Sequence, residues 1–533
     1  SNSKIQITCN SGYNVNLYYP NTQTGIGYRK KTVSNGQTLV AILVDNGRTW
    51  ITKDDLIHNE YVFGHNFYTA TLDAEWIMPG MTLEFTVKDD NDSINNKQVL
   101  GILDDINVGG VTELMITTLD VGLLTKPRNK FPFANQQELH REYYETTLAS
   151  RLIVVQYESM FLEEIMLPDG TFYSSGGISN TDGGWHTGDM RQFIAKILLS
   201  HGIDLANYGV SSSLGSSESS HPFTCALLAA HNAVGMYQNG RQVHGGSGGN
   251  GMVTLDSSIG NEFSHEIGHN YNLGHYVDGF NGSVHRPSNE INSSWGWDST
   301  LNVFIPNFSS SSSGKDQCLD EQCQTPFLNK YQYGKDSMAG GSPQWTNHYT
   351  MYTPNSAKKI QDFLEKKAIW DPTSSTGFSK YDGETMKEFN GNQQQKPRLY
   401  RVPVTTLVGY YDPDSTLNRN LQSYIYPAMH GAYGFVYNDD GDSISNGCKL
   451  VVETSNNGVL VYDLSTSIID SNGMNKFHVN IATDDEPYDA KIFCQNMLRA
   501  NRVLDRPKHI LEDGNDTLTY TVTGIPFADN ISP

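Results

Sequence analysis

Basic residues are scarce in this 533-residue chain. Its 37 Lys and Arg face 58 Asp and Glu, a formal net charge of −21. A nucleic-acid partner needs a basic face for its phosphates, and none is visible, although a polyanion held at a local basic patch is compatible with the balance. Charged residues of both signs reach only 18%. Gly, Ser and Asn are plentiful, a texture that suits a loop-rich extracellular protein. No window approaches the roughly 18–20 uninterrupted apolar residues of a membrane-spanning helix. Nor is there a signal peptide: the chain begins Ser1-Asn2-Ser3-Lys4, which reads as a processed or trimmed start.

Cysteine is also sparse, with six residues. Cys318 and Cys323 flank a short loop that a disulfide would close. A C-x4-C metal pair is the competing reading, but no second pair or nearby histidine completes it. Cys448 and Cys494 share one strand-rich region and suit a second bridge. Cys9 and Cys225 stay unpaired, and Cys225, within Phe223-Thr224-Cys225-Ala226-Leu227-Leu228, reads as a buried thiol. The even count points only weakly to an oxidising compartment.

What is present suffices for several cores: 37% hydrophobic residues, 29 Tyr and 7 Trp in a chain too long for a single domain. Residues 1–120 alternate short apolar runs (Ile5–Thr8, Thr38–Val44, Met81–Val87) with turn signals at Asn46-Gly47 and Pro79-Gly80, the pattern of a β-sandwich. Over 121–385 the texture is that of an α/β domain. Asn135 caps a helix through Gln136–Thr147, Arg151–Tyr157 reads as a buried strand, and a helix starts at Asp189 with an apolar stripe. A further helix is expected over Pro222–Met236, another near Gly260, and one over Asn355–Lys367. Ser309–Ser313 reads as a loop tip. Residues 386–533 return to strands and form a C-terminal β-rich domain. The fold class is thus multidomain α+β, with a central α/β domain between two sandwich-like ones.

The chemistry concentrates in His265-Glu266-Ile267-Gly268-His269-Asn270-Tyr271-Asn272-Leu273-Gly274-His275. On a helix, His265 and His269 project from one face a single turn apart, the reach two imidazoles need to share one Zn²⁺. Glu266 is placed to act as general base. His275 completes H-E-x-x-H-x-x-x-x-x-H, three ligands with a fourth position open, the arrangement of a catalytic zinc rather than a structural one. The metzincin form of this motif has Gly at position 272; Asn272 is the next most tolerant of the left-handed conformation, and Gly274 adds a second permissive point. Downstream, Ser337-Met338-Ala339-Gly340-Gly341 is a methionine in a Gly-bounded turn, the Met-turn that underlies metzincin histidines. The run His244-Gly245-Gly246-Ser247-Gly248-Gly249-Asn250-Gly251 lacks the P-loop Lys-Ser/Thr and reads as a turn leading into a strand beside the cleft. His244 reads as structural, not as a fourth ligand.

From about Leu123 to Lys380 the chain resembles the secreted zinc metalloproteases of the StcE/TagA type, a dictomallein-related metzincin family. The likeness rests on Ala149-Ser150-Arg151, Gly183-Gly184-Trp185-His186, Ala229-Ala230-His231-Asn232, Val243–Gly249, the zinc motif, Val277-Asp278-Gly279-Phe280 and Met338–Gly341. It continues in Leu407–Tyr411 and Tyr424–Ala428. The resemblance implies a secreted endopeptidase acting on O-glycosylated, Ser/Thr-rich glycoproteins such as mucins, with His265, His269 and His275 holding one Zn²⁺, Glu266 as base and Met338 as the Met-turn. It also implies a role in virulence. The inserted domain that the family's best-known member carries after the segment matching Thr376–Lys380 is absent here.

Tyr276, directly after the third ligand, is placed either to hydrogen-bond a substrate carbonyl or oxyanion or simply to pack. Trp185 and His186 form either a cleft wall that stacks on a sugar or part of the core. Position 340, where some metzincins add a Tyr ligand, is Gly. A monomer is expected, with glycoprotein substrates as partners and no nucleic acid or membrane span. Two other functions fit the same residues: a glycan-binding adhesin with a non-catalytic zinc site, and a peptidase indifferent to glycans.

Overall fold

The structure is a computed structural model. It describes the strands Lys4–Thr8, Val15–Pro20, Tyr28–Val33, Thr38–Val44 and Thr49–Thr52, position 72, and most of the chain from 76 to 527. Within that span, 89–96, 214–224, 288–289, 299–302, 341–348, 391–394, 415–420, 442–446, 469–472, 509–517 and the single positions 105, 247, 277, 306 and 328 are not described. Cys9 and the Asn46-Gly47 turn therefore lie outside the described residues. The protein is multidomain and mostly β, with few helices.

A mixed seven-stranded sheet positions the site. Its central strands Glu113–Leu123 and Ala226–Tyr237 run parallel, from Leu114 opposite Ala226 to Leu123 opposite Gly235. Arg151–Gln156 lies parallel on the far side of Glu113–Leu123. Gly240–His244 is antiparallel at the outer edge, and Met252–Thr254 runs parallel along the first half of Ala226–Tyr237. Successive residues of a strand face opposite sides. Leu114, Ile116, Leu152, Val154, Leu228 and Ala230 accordingly enter one core, and Met115, Leu119, Ile153, Val155, Leu227 and Ala229 enter another. A sheet buried on both faces reads as a continuous apolar run, not as an alternation.

The helix expected over Pro222–Met236 is the strand Ala226–Tyr237 wherever it is described, buried along nearly its whole length. Its Ala-rich run ALLAAHNAVGMY favours a helix intrinsically, but a short apolar run gives no period by which to tell a buried strand from a buried helix. Pairing on both edges decides for the strand. The run Ser309–Ser313 is likewise no loop tip: Phe308–Ser312 pairs with Tyr331–Tyr333. The helix Gln137–Thr146 starts from Gln136, while Asn135 closes the preceding turn Pro132–Ala134.

Helices cover both faces. On one, Gln137–Thr146, Asn261–Asn270 and Pro354–Glu365 pack through Tyr143, Phe263, Ile267, Ile360 and Leu364. On the other, the helical runs Met190–Ser200 and His201–Asn207 press Met190, Ile194, Leu198 and Ile203 onto the sheet.

Position 120 lies inside the central strand Glu113–Leu123. Beyond 386, Leu399–Tyr411 pairs with Met429–Val436 and Asn475–Ala482, and Ser212–Ser213 adds to that sheet. Val404, Val408 and Tyr433 share one core with Met115 and Ile194. Near the C-terminus, Tyr520–Gly524 returns to pair antiparallel with Arg151–Val155 at the edge of the seven-stranded sheet. Arg151 fastens this strand: it pairs with Glu113 at 2.6 Å, donates to the Pro526 carbonyl at 2.9 Å and lies over the Phe527 ring. Both expected disulfides are present, Cys318–Cys323 across a hairpin and Cys448–Cys494 between paired strands. Cys225 is free and buried.

Candidate metal centre

The helix Asn261–Asn270 carries His265, Glu266 and His269, and the chain then doubles back. The reversal uses Asn272, whose φ of 61° is left-handed, so the side chain at the motif's Gly position takes the conformation that glycine would. Gly274 contributes no positive φ. The reversal brings His275 to the other two: the three ring centroids stand 4.8, 5.0 and 4.9 Å apart, a nearly equilateral triangle. One ligand nitrogen from each lies within 4.8 Å of the others, so the cluster could hold a metal ion.

Fit to a metal can be judged from the remaining nitrogens. His265 Nδ1 bonds the Ser337 carbonyl at 2.8 Å and His269 Nδ1 the Leu273 carbonyl at 2.9 Å. A carbonyl only accepts, so each Nδ1 carries the proton and each Nε2 keeps a free lone pair. Burial, with His265 and His275 nearby, lowers the His269 pKa and favours the neutral, ligating form. This donor set fits zinc.

Met338 packs against the helix that carries His265 and His269. It is buried against the helix so closely that a Cβ on Gly268 would stand 2.4 Å from its Sδ. The turn around it is fixed by Asp336, fully buried, which accepts from the backbone N–H groups of Met338 at 2.9 Å and Thr353 at 2.7 Å. Gly340 completes the turn with φ 71°. One turn thus holds two segments of the cluster: the Ser337 carbonyl accepts from His265, and the Met338 carbonyl accepts the N–H of Tyr276, next to His275.

Glu266 is largely buried, and its carboxylate makes no hydrogen bond among the described residues. Burial first, then the Glu262 charge, push its pKa up to about 7. The glycine-rich loop lies against this helix: Gly248 approaches the Glu266 carbonyl too closely for any Cβ, and Asn270 accepts the Gly251 N–H at 2.8 Å.

Trp185 and His186 reach the same region, with Gly246 packed against both rings. They are exposed and meet edge-on, 6.3 Å between centroids. Tyr276 is exposed, with φ 39°, and its hydroxyl accepts the Gly279 N–H at 2.8 Å and makes no other hydrogen bond among the described residues. His244 is buried with Nδ1 on the Gly184 carbonyl and stands outside the cluster.

Sequence reasoning missed four supports. Asp336 carried a usable signal, an Asp two residues before the N–H it caps. Glu262, which accepts from Asp256 and Ser257, sits in the first helical turn where acidic residues are favoured. Asn270 and Arg191, whose buried guanidinium holds the His186 carbonyl at 2.9 Å, carried none.

Residues 58–369 match the Peptidase M66 family, and residues 395–494 match the ToxR activated gene A lipoprotein domain. The chain is 40% identical to Metalloprotease StcE of Escherichia coli O157:H7, over 99% of this chain and 67% of that protein. That alignment, 633 residues long, exceeds the 533 residues here, so the relative carries residues within the aligned span that this chain lacks. Identity to the ToxR-activated gene A lipoprotein of Vibrio cholerae is 35% over 70% of this chain, which spans about a third of that protein (36%). Dictomallein of Burkholderia mallei is 28% identical over 38% of this chain and 31% of its own length. With more than half its length matched and the histidine triangle in place, the chain belongs to the Peptidase M66 family of metalloendopeptidases.

Proposed function

We propose that the protein is a secreted zinc endopeptidase that cleaves O-glycosylated, Ser/Thr-rich glycoproteins of the mucin type, as a monomer whose catalytic unit is centred on the seven-stranded sheet. The observation that carries this reading is the triangle of His265, His269 and His275, with two of its Nδ1 atoms committed to carbonyls and Glu266 beside it on the same helix. These three histidines would hold the ion. Zinc bound there would lower the pKa of water to about 7 and polarise the scissile carbonyl.

The chain's own residues do the rest. Glu266 removes the proton of the attacking water and delivers it to the leaving amine, and its free carboxylate and upward-shifted pKa suit both halves of that cycle. Tyr276 offers its hydroxyl proton to the developing oxyanion. Met338 keeps the histidine platform from below. Trp185 and His186 offer exposed ring faces on which a sugar attached to the substrate stacks. Extracellular action accords with the two disulfides.

The test is cleavage of a mucin before and after enzymatic removal of its O-glycans. Loss of cleavage on deglycosylation is the expected result. Faster cleavage of the bare polypeptide would show a peptidase indifferent to glycans.

A further inference from the structure

Glu262 stands in the first turn of the helix Asn261–Asn270, just ahead of His265. Its carboxylate collects backbone donors from two segments. Oε1 accepts the N–H of Asp256 at 2.8 Å and that of Gly246 at 3.3 Å, and Oε2 accepts the N–H of Ser257 at 2.6 Å. Asp256 and Ser257 lead into the helix, and an acidic residue at a helix start is favoured by the dipole alone. That does not account for Gly246, which belongs to the glycine-rich loop.

The loop in turn carries Trp185. The Trp185 carbonyl accepts the Gly245 N–H at 3.2 Å, and the Gly184 carbonyl bonds Nδ1 of the buried His244 at 2.7 Å. The indole lies on the two glycines. A Cβ on Gly245 would stand 2.7 Å from Trp185 Cζ2 and 2.7 Å from Glu262 Oε1, and one on Gly246 would stand 2.4 Å from Trp185 Nε1. Carboxylate and ring edge therefore close on the same side of Gly245 and leave no room there for a methyl group. The edge of an aromatic ring is its positive side, so a carboxylate is a compatible neighbour.

Trp185 is otherwise lightly held: it is 42% exposed, and its indole N–H makes no hydrogen bond among the described residues. A run rich in glycine has much backbone freedom to lose, so its place depends on what ties it. Asn270 ties it at Gly251, from the last turn of the same helix. Glu262 is the tie next to Trp185.

We propose that Glu262 is a positioning residue for substrate binding. By holding Gly245 and Gly246 it seats the Trp185 indole at a fixed spacing from the helix that bears His265 and His269. The effect on binding rests on the reading of Trp185 as part of the cleft wall; the seat itself does not.

The test uses the full zinc-loaded chain and a Ser/Thr-rich peptide, glycosylated or bare, whichever is cleaved. Acrylamide quenching of Trp185 emission, taken as the difference between each protein and its Trp185→Phe counterpart, should rise in Glu262→Ala and in Gly245→Ala. Both variants should raise KM roughly five-fold, the weight of one hydrogen bond, with little change in kcat or bound metal. Neither should raise it further in a Trp185→Ala background. Gly245→Ala keeps the carboxylate and the helix start, which separates loss of the seat from loss of charge or of folding. Glu262→Gln, with one acceptor retained, should fall between Glu262→Ala and the wild type. Quenching unmoved in both variants, or KM effects that add in full to that of Trp185→Ala, would overturn the proposal. Quenching that rises while Trp185→Ala leaves KM unmoved would uphold the seat and defeat only the reading of the wall.

Discussion

The histidine triangle and the exposed side chains of Trp185, His186 and Tyr276 are built differently. His265 and His269 each fix one ring nitrogen on a backbone carbonyl, and Met338, in a turn that Asp336 holds, packs against the helix that carries them. Trp185, His186 and Tyr276 instead stand exposed at the surface, on backbone that bends sharply: φ is 39° at Tyr276 and 127° at Gly188. The first arrangement suits an ion that tolerates displacements of a few tenths of an ångström. The second suits a ligand surface that varies from one substrate to the next. Under the proposed function, the side chains that hold the ion are fixed by backbone hydrogen bonds, and those that meet the substrate stand exposed.

Removing a ligand should break the contrast most completely. His269→Ala is expected to reduce bound metal from one ion per chain to almost none, measured by elemental analysis of the purified protein, with cleavage lost in parallel. A fully metal-loaded His269→Ala protein would show that other residues hold the ion.

The next largest effect belongs to the reversal. Asn272→Gly should leave metal affinity and activity nearly unchanged, because glycine adopts φ near 61° without strain. Asn272→Val forces a β-branched residue into the left-handed region, at a cost of about 1–2 kcal/mol, and should loosen metal binding by displacing His275. Competition with a chelator distinguishes the two, and equal affinities would mean that the reversal does not position His275.

The exposed side chains should respond in a different parameter. Trp185→Ala is expected to raise KM for a glycosylated substrate on the order of ten-fold, equivalent to about 1.4 kcal/mol, with little change in kcat. A fall in kcat at constant KM would move Trp185 from recognition to support of the platform.

The smallest effect is on stability. Burial lowers the pKa of His244 and His285 to about 4 and that of His478 to about 3, below the ordinary histidine value of 6.5. The unfolded chain therefore binds more protons than the folded one between pH 6.5 and about 4, so stability is full above 6.5 and falls as the pH drops through that window. A melting temperature that declines from pH 6.5 to 4.5 is expected; a flat profile would mean that these rings are charged in the fold.

The site was far more legible in the sequence than the fold around it. His265, Glu266, His269 and His275 announce themselves because a helix imposes their spacing, and Met338 because a Gly-bounded turn can be read locally. Asn272 was readable as a left-handed residue for the same reason. Asn270 and Arg191 were not, because what matters about each is a contact that the folded chain brings to it. The strand Ala226–Tyr237 was misread because burial on both faces erases the period that would identify it. The return of Tyr520–Gly524 to the edge of Arg151–Gln156 had no local signal at all: strand pairing across some 370 residues is decided by the geometry of the finished sheet.

The proposed reaction depends on Glu266. The direct measurement compares wild-type protein and Glu266→Ala, both shown to carry zinc, on the same mucin. The account predicts that both hold the metal and that cleavage falls by about 10²–10⁴-fold in the variant. Undiminished cleavage by Glu266→Ala would contradict it.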